Sequence, residues 1–113
     1  MQTLVIDKSI SDCIQKASQY QGVSRIGVFG SFARAEQSDE SDIDILYDYY
    51  YVDNNDNGIS DTFEFLDVLE NDLRRFLGNK KIDFVSYHAV VDSDDTTTKQ
   101  NILDGVVWVY VKT

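Results

Sequence analysis

Two aspartates at alternate positions, Asp42 and Asp44, are the residues of this sequence best suited to chemistry. They lie in a segment, residues 42–47, in which charged and apolar residues alternate, and this pattern predicts a half-buried strand. Side chains two apart on a strand project from one face, about 7 Å apart along the backbone. Carboxylates this close repel each other unless a cation lies between them, and hard oxygen donors suit Mg²⁺. The pair therefore predicts a magnesium site.

A third carboxylate and a glycine–serine turn extend this prediction. Asp83 follows the same alternation in the predicted strand 81–87, so neighbouring strands would bring three carboxylates to one edge of a sheet. Such a cluster can hold two metal ions that act on a phosphoryl group. Gly30 and Ser31 end an apolar segment, and a turn there offers backbone N–H groups and a hydroxyl to phosphate. Arg34, one turn further on, would add a charge-assisted contact.

The elements that must position these residues follow from hydrophobic periodicity. The single domain expected for 113 residues spans 1–113. The order α-β-α-β-α-β-α-β predicts an α/β or α+β fold, with helices packed on a small mixed sheet. The predicted elements are helix 9–20, strand 25–29, short helix 32–36, strand 42–47, helix 63–77, strand 81–87, helix 96–103 and strand 106–111.

Composition excludes several classes of protein. Twenty acidic against ten basic residues give a net charge of −10, which argues against electrostatic binding of nucleic acid or of an anionic membrane. The single cysteine, Cys13, excludes an internal disulfide, and the single histidine, His88, excludes a histidine-rich metal centre. We expect Cys13 in the core and His88 at the surface end of a strand. No signal peptide or membrane span is predicted, so we expect a cytoplasmic protein.

The spacing of these motifs resembles that of a known superfamily. Gly30-Ser31, ten residues, then Asp42-Ile43-Asp44 is similar to the Gly-Ser-x10-Asp-x-Asp signature of the polymerase-β-like nucleotidyltransferases. The surrounding sequence resembles the minimal nucleotidyltransferases (MNT) over nearly the whole chain. The resemblance implies a nucleotidyltransferase fold in which Gly30 and Ser31, with Arg34 beside them, bind the nucleotide triphosphate. It also implies catalysis and magnesium binding by the three acidic residues, with the last of them accepting the proton of the attacking hydroxyl; these are Asp42, Asp44 and Asp83.

The resemblance further implies a role in a toxin–antitoxin pair. Many MNT proteins are antitoxins that transfer AMP from ATP to a tyrosine of a HEPN ribonuclease toxin. A chain of 113 residues has no room for a domain that holds the acceptor, so a partner must present it. A HEPN ribonuclease would be basic, and a chain with a charge of −10 would attract it. The expected ligands are two Mg²⁺ ions and ATP, without direct contact to nucleic acid.

Two alternatives remain open at this point. The domain could neutralise its partner by occlusion alone, as a catalytically inactive binding module. Separately, residues 53–64 satisfy the sequence pattern of an EF-hand calcium loop, beginning at Asp53 and ending at Glu64. An EF-hand loop lies between two helices, whereas a tyrosine-rich predicted strand precedes this one, so we interpret the segment as an acidic loop. The tyrosine-rich residues 47–51 are expected to divide between strand surface and core.

Overall fold

The computed structural model describes residues 8–30, 42–51, 63–78 and 80–112. Within these residues the chain forms four helices and four strands. In chain order they are α1 (Lys8–Ala17), β1 (Val23–Phe29), β2 (Ile43–Tyr49), α2 (Glu64–Leu77), β3 (Ile82–Ser86), α3 (Tyr87–Val91), α4 (Thr96–Gly105) and β4 (Val107–Val111). In this part of the chain, no helix is long and apolar enough to cross a membrane.

The four strands form one mixed sheet in the order β3-β2-β1-β4. Strand β1 runs antiparallel to both of its neighbours, β2 and β4, whereas β2 and β3 are parallel. Parallel neighbours need a long connection, and here α2 lies between β2 and β3 in the sequence. The mixed α+β architecture confirms the predicted fold class.

The alternation of side chains along β1 and β2 divides the sheet into two faces. One face carries the buried Ile26, Val28, Ile43 and Ile45, which form the main hydrophobic cluster with apolar residues of α1 and α2. The helical members of that cluster are Ile10, Ile14, Ala17, Phe65, Leu69 and Leu73. Because successive strand residues point to opposite sides, the intervening residues of β2, including Asp44, lie on the other face. We call this the second face of the sheet.

Helix α3 differs from the sequence prediction. Residues 87 and 88 were predicted to continue the third strand, but the strand ends at Ser86 and a five-residue helix follows. The prediction that His88 ends a strand is therefore wrong. His88 packs on β2, with its Nε2 3.0 Å from Asp48 Oδ1 and its ring centroid 4.5 Å from that of Tyr49. These contacts join α3 to β2. They are tertiary contacts, which local sequence preference cannot predict.

The remaining predicted elements agree with the structure or lie outside the described residues. The predicted helices and strands correspond to α1, β1, β2, α2, β3, α4 and β4, with shifts of a few residues at their ends. The predicted short helix 32–36 lies outside the described residues, and so does most of the acidic loop. Cys13 is half-buried against the main cluster, and burial raises the pKa of its thiol.

Candidate active site

Strands β2 and β3 bring two of the predicted aspartates together. Asp44 is paired directly with Asp83 in the parallel register of these strands. Residues paired in this way point to the same face, so both carboxyl groups lie on the second face. The two carboxyl groups are close enough to share a hydrogen bond. The condition that the sequence left open, that these strands are neighbours, is therefore met.

The electrostatics of Asp44 reflect this proximity. The pKa of Asp44 is raised from 3.8 to about 6, first by burial and then by the negative charge of Asp83 and the hydrogen bond with it. The charge of Asp42 raises the pKa further, while the positive charge of Lys81 lowers it. Without a bound cation, the site thus disfavours the charged form of Asp44.

Asp42 and Lys81 lie where the two strands begin. The N–H of Ile43, which follows Asp42, donates a hydrogen bond of 3.0 Å to the carbonyl oxygen of Lys81. The side chain of Lys81 reaches along its own strand, and its Nζ lies 3.5 Å from Asp83 Oδ1. Lys81 was not among the predicted site residues, although extended backbone two residues before Asp83 places both side chains on the same face.

Gly30 lies beside the same carboxylates at the end of β1. Its φ of +76° is in the left-handed region that residues with a side chain rarely adopt. A Cβ at this position would lie 2.3 Å from Asp44 Oδ2, which is closer than any real contact. Both the backbone conformation and the space next to Asp44 therefore require glycine.

The carboxylates on the second face are suitable ligands for magnesium. Asp44 and Asp83 supply hard oxygen ligands on one face, and a divalent cation would relieve the repulsion that raises the pKa of Asp44. Mg²⁺ usually takes one or two protein carboxylates, and phosphate oxygens of the substrate complete its shell. The residues fit such an ion. Among the described residues, however, no group of three or more histidine, cysteine or acidic side chains is placed to hold a metal ion.

Other predicted features lie elsewhere. Ser31 and Arg34 lie outside the described residues, as does the candidate calcium loop apart from Phe63 and Glu64, which lie at the start of α2. Neither Cys13 nor His88 belongs to the site: Cys13 lies on α1, and His88 binds Asp48, four residues along β2 from Asp44, or about 13 Å.

Comparison with known proteins identifies the family of this chain. The family model described as Polymerase beta, Nucleotidyltransferase matches residues 11–112. The chain is 32% identical over 87 residues to the "Putative protein adenylyltransferase MJ1379" of Methanocaldococcus jannaschii, and the match covers 77% of each protein.

Two solved structures have a similar fold. The first is the crystal structure of a toxin-antitoxin with AMP-PNP; its matching chain has a TM-score of 0.57 and 20% identity, with 91% of this chain and 74% of that chain covered. The second contains a tri-AMPylated Shewanella oneidensis HEPN toxin in complex with MNT antitoxin. Its TM-score is 0.52 and its identity 18%, with 93% of this chain and 72% of that chain covered.

These similarities carry different weight. At 18–20% identity the solved structures establish the fold alone, whereas the family match extends over almost the entire sequence. That match includes the glycine at the end of β1 and all three aspartates. The chain therefore belongs to the polymerase beta nucleotidyltransferase family and is a nucleotidyltransferase.

Proposed function

We propose that this protein is a cytoplasmic, magnesium-dependent adenylyltransferase that transfers AMP from ATP to a hydroxyl of a partner HEPN toxin, with tyrosine as the expected acceptor. Its relative in Methanocaldococcus jannaschii is named as a protein adenylyltransferase. Chains of similar fold occur with AMP-PNP in a toxin-antitoxin structure, and in a complex whose toxin is tri-AMPylated. These similarities to other proteins support the proposal.

The observation that carries the proposal is the pairing of Asp44 with Asp83 beside Gly30. Two carboxylates in register on parallel strands present several acceptor oxygens on one face. The absence of a side chain at position 30 leaves room beside Asp44 for the backbone to approach a phosphate. Acceptor oxygens for cations and an open backbone for phosphate are the two requirements of nucleotidyl transfer.

The proposed reaction forms one P–O bond and breaks another. The acceptor oxygen attacks the α-phosphorus of ATP in line, and pyrophosphate leaves. We assign the proton of the acceptor hydroxyl to Asp83, whose side chain is 36% exposed and thus accessible to a partner's side chain. Magnesium held by Asp42, Asp44 and Asp83 would neutralise the charge of the triphosphate and polarise the α-phosphate.

The partner supplies the acceptor in this proposal. The chain's net charge of −10 favours a basic partner, because complementary charge accelerates encounter and orients the two proteins. A ribonuclease that binds the RNA backbone carries such a basic surface. The acidic surface therefore supports a toxin of this class as the partner.

Intact mass spectrometry of the toxin tests the proposal. Where the neighbouring gene encodes a HEPN ribonuclease, that purified toxin is incubated with the full chain, ATP and Mg²⁺, and we expect its mass to increase by one or more AMP units. The increase should disappear with EDTA and with Asp44→Asn or Asp83→Asn, because each variant removes a proposed metal ligand. Asp94→Asn, an exposed aspartate before α4, is the matched control and should transfer AMP like the wild type.

A stable complex with toxin of unmodified mass would contradict the proposal. It would favour neutralisation by occlusion, provided that the wild-type chain is folded and the toxin's ribonuclease activity is suppressed. Adduct formation that persists in the Asp44→Asn, Asp83→Asn double variant would instead contradict the assignment of the site.

A further inference from the structure

We propose that Lys81 binds the β- or γ-phosphate of the nucleotide, and that its ammonium leaves Asp83 to do so. This inference rests on the proposed function, in which a nucleoside triphosphate binds at Asp44 and Asp83. Lys81 Nζ lies 3.5 Å from Asp83 Oδ1, and its charge also acts on Asp44. Lys81 therefore already serves as a counter-ion to the carboxylate pair.

The backbone of Lys81 is fixed while its side chain is free to move. The carbonyl oxygen of Lys81 accepts the hydrogen bond of Ile43, which anchors its backbone at the first step of the β2–β3 ladder. Its side chain is 68% exposed. An exposed ion pair of this kind adds little to stability, so little opposes an exchange of partners. The flexible four-carbon stem allows the ammonium to move to a new acceptor.

The charge balance of the site favours this exchange. The carboxylates of Asp42, Asp44 and Asp83 and a bound nucleoside triphosphate together carry about seven negative charges, of which two Mg²⁺ ions would neutralise about four. A cation that binds Asp83 competes with Lys81 for the same carboxylate. The displaced ammonium then lies beside a group with several strong acceptor oxygens, to which a charge-assisted hydrogen bond forms.

The position of Lys81 indicates that it binds the β- or γ-phosphate and not the α-phosphate. Lys81 precedes Asp83 by two residues, which places its backbone about 7 Å further along the strand. The reacting α-phosphorus must lie near the carboxylate that accepts the hydroxyl proton. This backbone position lies at the edge of the sheet where β1 ends at Gly30 and where β2 and β3 begin. An ammonium that leaves Asp83 can therefore move toward phosphates bound at the Gly30 turn and away from the α-phosphorus, so it assists binding of ATP and departure of pyrophosphate more than binding of AMP.

Calorimetric titration of the full chain with AMP-PNP and with AMP, both in the presence of Mg²⁺, tests this inference. Lys81→Gln should weaken AMP-PNP binding by about ten-fold and AMP binding by less than about two-fold. Lys81→Arg, which keeps the charge, should restore AMP-PNP binding to within about three-fold of the wild type. Lys112→Gln is the matched control, because Lys112 lies over the Tyr50 ring at the other end of the sheet, and it should change neither affinity.

A second readout separates the proposed role from a structural one. With no nucleotide present, Lys81→Gln should bind Mg²⁺ more tightly than the wild type, because the competing ammonium is gone. A general loss of structure would weaken Mg²⁺ and both nucleotides together, and this would overturn the inference. Equal AMP-PNP affinity in Lys81→Gln and the wild type would also overturn it, while leaving the proposed function intact. Failure of the wild type to bind AMP-PNP would instead overturn both.

Discussion

Asp44 is a proposed metal ligand, and its charged carboxylate also lowers the stability of the fold. Burial and the nearby Asp83 raise its pKa from 3.8 to about 6, so the fold binds a proton at this carboxyl more tightly than the unfolded chain does. A group of this kind contributes stability that is fully present below the unfolded pKa and is lost as pH rises through the folded pKa. Between about pH 4 and pH 6, its contribution therefore falls as pH increases.

We predict that Asp44→Asn stabilises the metal-free protein at neutral pH while it abolishes AMP transfer. The neutral amide can still hydrogen-bond to Asp83 and removes the repulsion, so the free energy of unfolding at about pH 7.5 should rise by about 1–2 kcal/mol. At about pH 4 the gain should nearly vanish. Urea unfolding at both pH values, with EDTA present and Asp94→Asn as the control, measures the difference. An equal effect at both pH values would contradict the cause that we assign.

A second prediction concerns Gly30. Gly30→Ala forces a side chain into a left-handed conformation and places its Cβ against the Asp44 carboxylate. We expect a loss of about 1–2 kcal/mol in unfolding free energy and a reduction of transfer by more than about ten-fold. Gly78→Ala, with a φ of +64° but nothing within 4 Å, should lose stability alone. AMP-transfer assays and thermal unfolding of both variants measure these effects. An equal loss of AMP transfer in Gly30→Ala and Gly78→Ala would contradict this account.

The sequence predicted much of the site, for a physical reason. The two-residue spacing of Asp42 and Asp44 fixes a common face once the segment is a strand, whatever the rest of the fold. The contact of Asp44 with Asp83 depends on strand order and parallel register, which tertiary packing determines. Lys81 was missed because a lysine before a strand has no distinctive pattern, and only its distance to Asp83 identifies it.

On the second face of the sheet, the guanidinium group of Arg25 connects several secondary-structure elements. Arg25 of β1 donates hydrogen bonds from Nε and Nη2 to Asp48 Oδ2 of β2, at 3.2 and 3.0 Å. Its Cζ lies 4.3 Å from the ring centroids of both Tyr87 of α3 and Trp108 of β4. This cluster connects four elements at the end of the sheet away from Asp44.

We therefore predict that Arg25→Lys destabilises the fold and leaves the site intact. Lysine keeps the charge but lacks the planar fork that bonds Asp48 and stacks between two rings, so the unfolding free energy should fall by about 1–2 kcal/mol. Affinity for AMP-PNP at a temperature where the variant is folded should change less than about two-fold. The matched control is Arg75→Lys, an arginine whose side chain is 75% exposed. Equal melting temperatures for Arg25→Lys and the wild type would contradict the role of this cluster.

Elements with strong periodicity were predicted from the sequence, and α3 was not. Helix α2 repeats apolar residues at helical spacing over 14 residues, and such a pattern is reliable without tertiary information. Helix α3 has five residues, among them Tyr87 and two valines, types that favour strands. Its contacts with Arg25, Asp48 and Tyr49 outweigh that preference. Sheet order was not predictable, since it depends on how all the elements pack together.

For the whole molecule, charge is the property that governs encounter with a partner. The net charge of −10 on 113 residues produces a field that extends beyond individual contacts. Dissolved ions screen such a field over about 10 Å at 0.1 M salt and over about 3 Å at 1 M. If the partner is a basic toxin, association is accelerated by this field, whereas dissociation depends on the short-range contacts of the complex.

We predict that the association rate constant with the toxin falls by at least about ten-fold between about 50 mM and 500 mM salt, while the dissociation rate changes by less than about three-fold. Electrostatic attraction acts before the two proteins touch, so the salt dependence of the association rate should decrease when the net negative charge is reduced. Replacing three exposed aspartates of α4 and the loop before it by asparagine, Asp92, Asp94 and Asp104, should reduce the salt dependence without altering AMP-PNP affinity. Stopped-flow mixing at several salt concentrations measures both rates. An association rate independent of salt would contradict attraction of the toxin by the acidic surface.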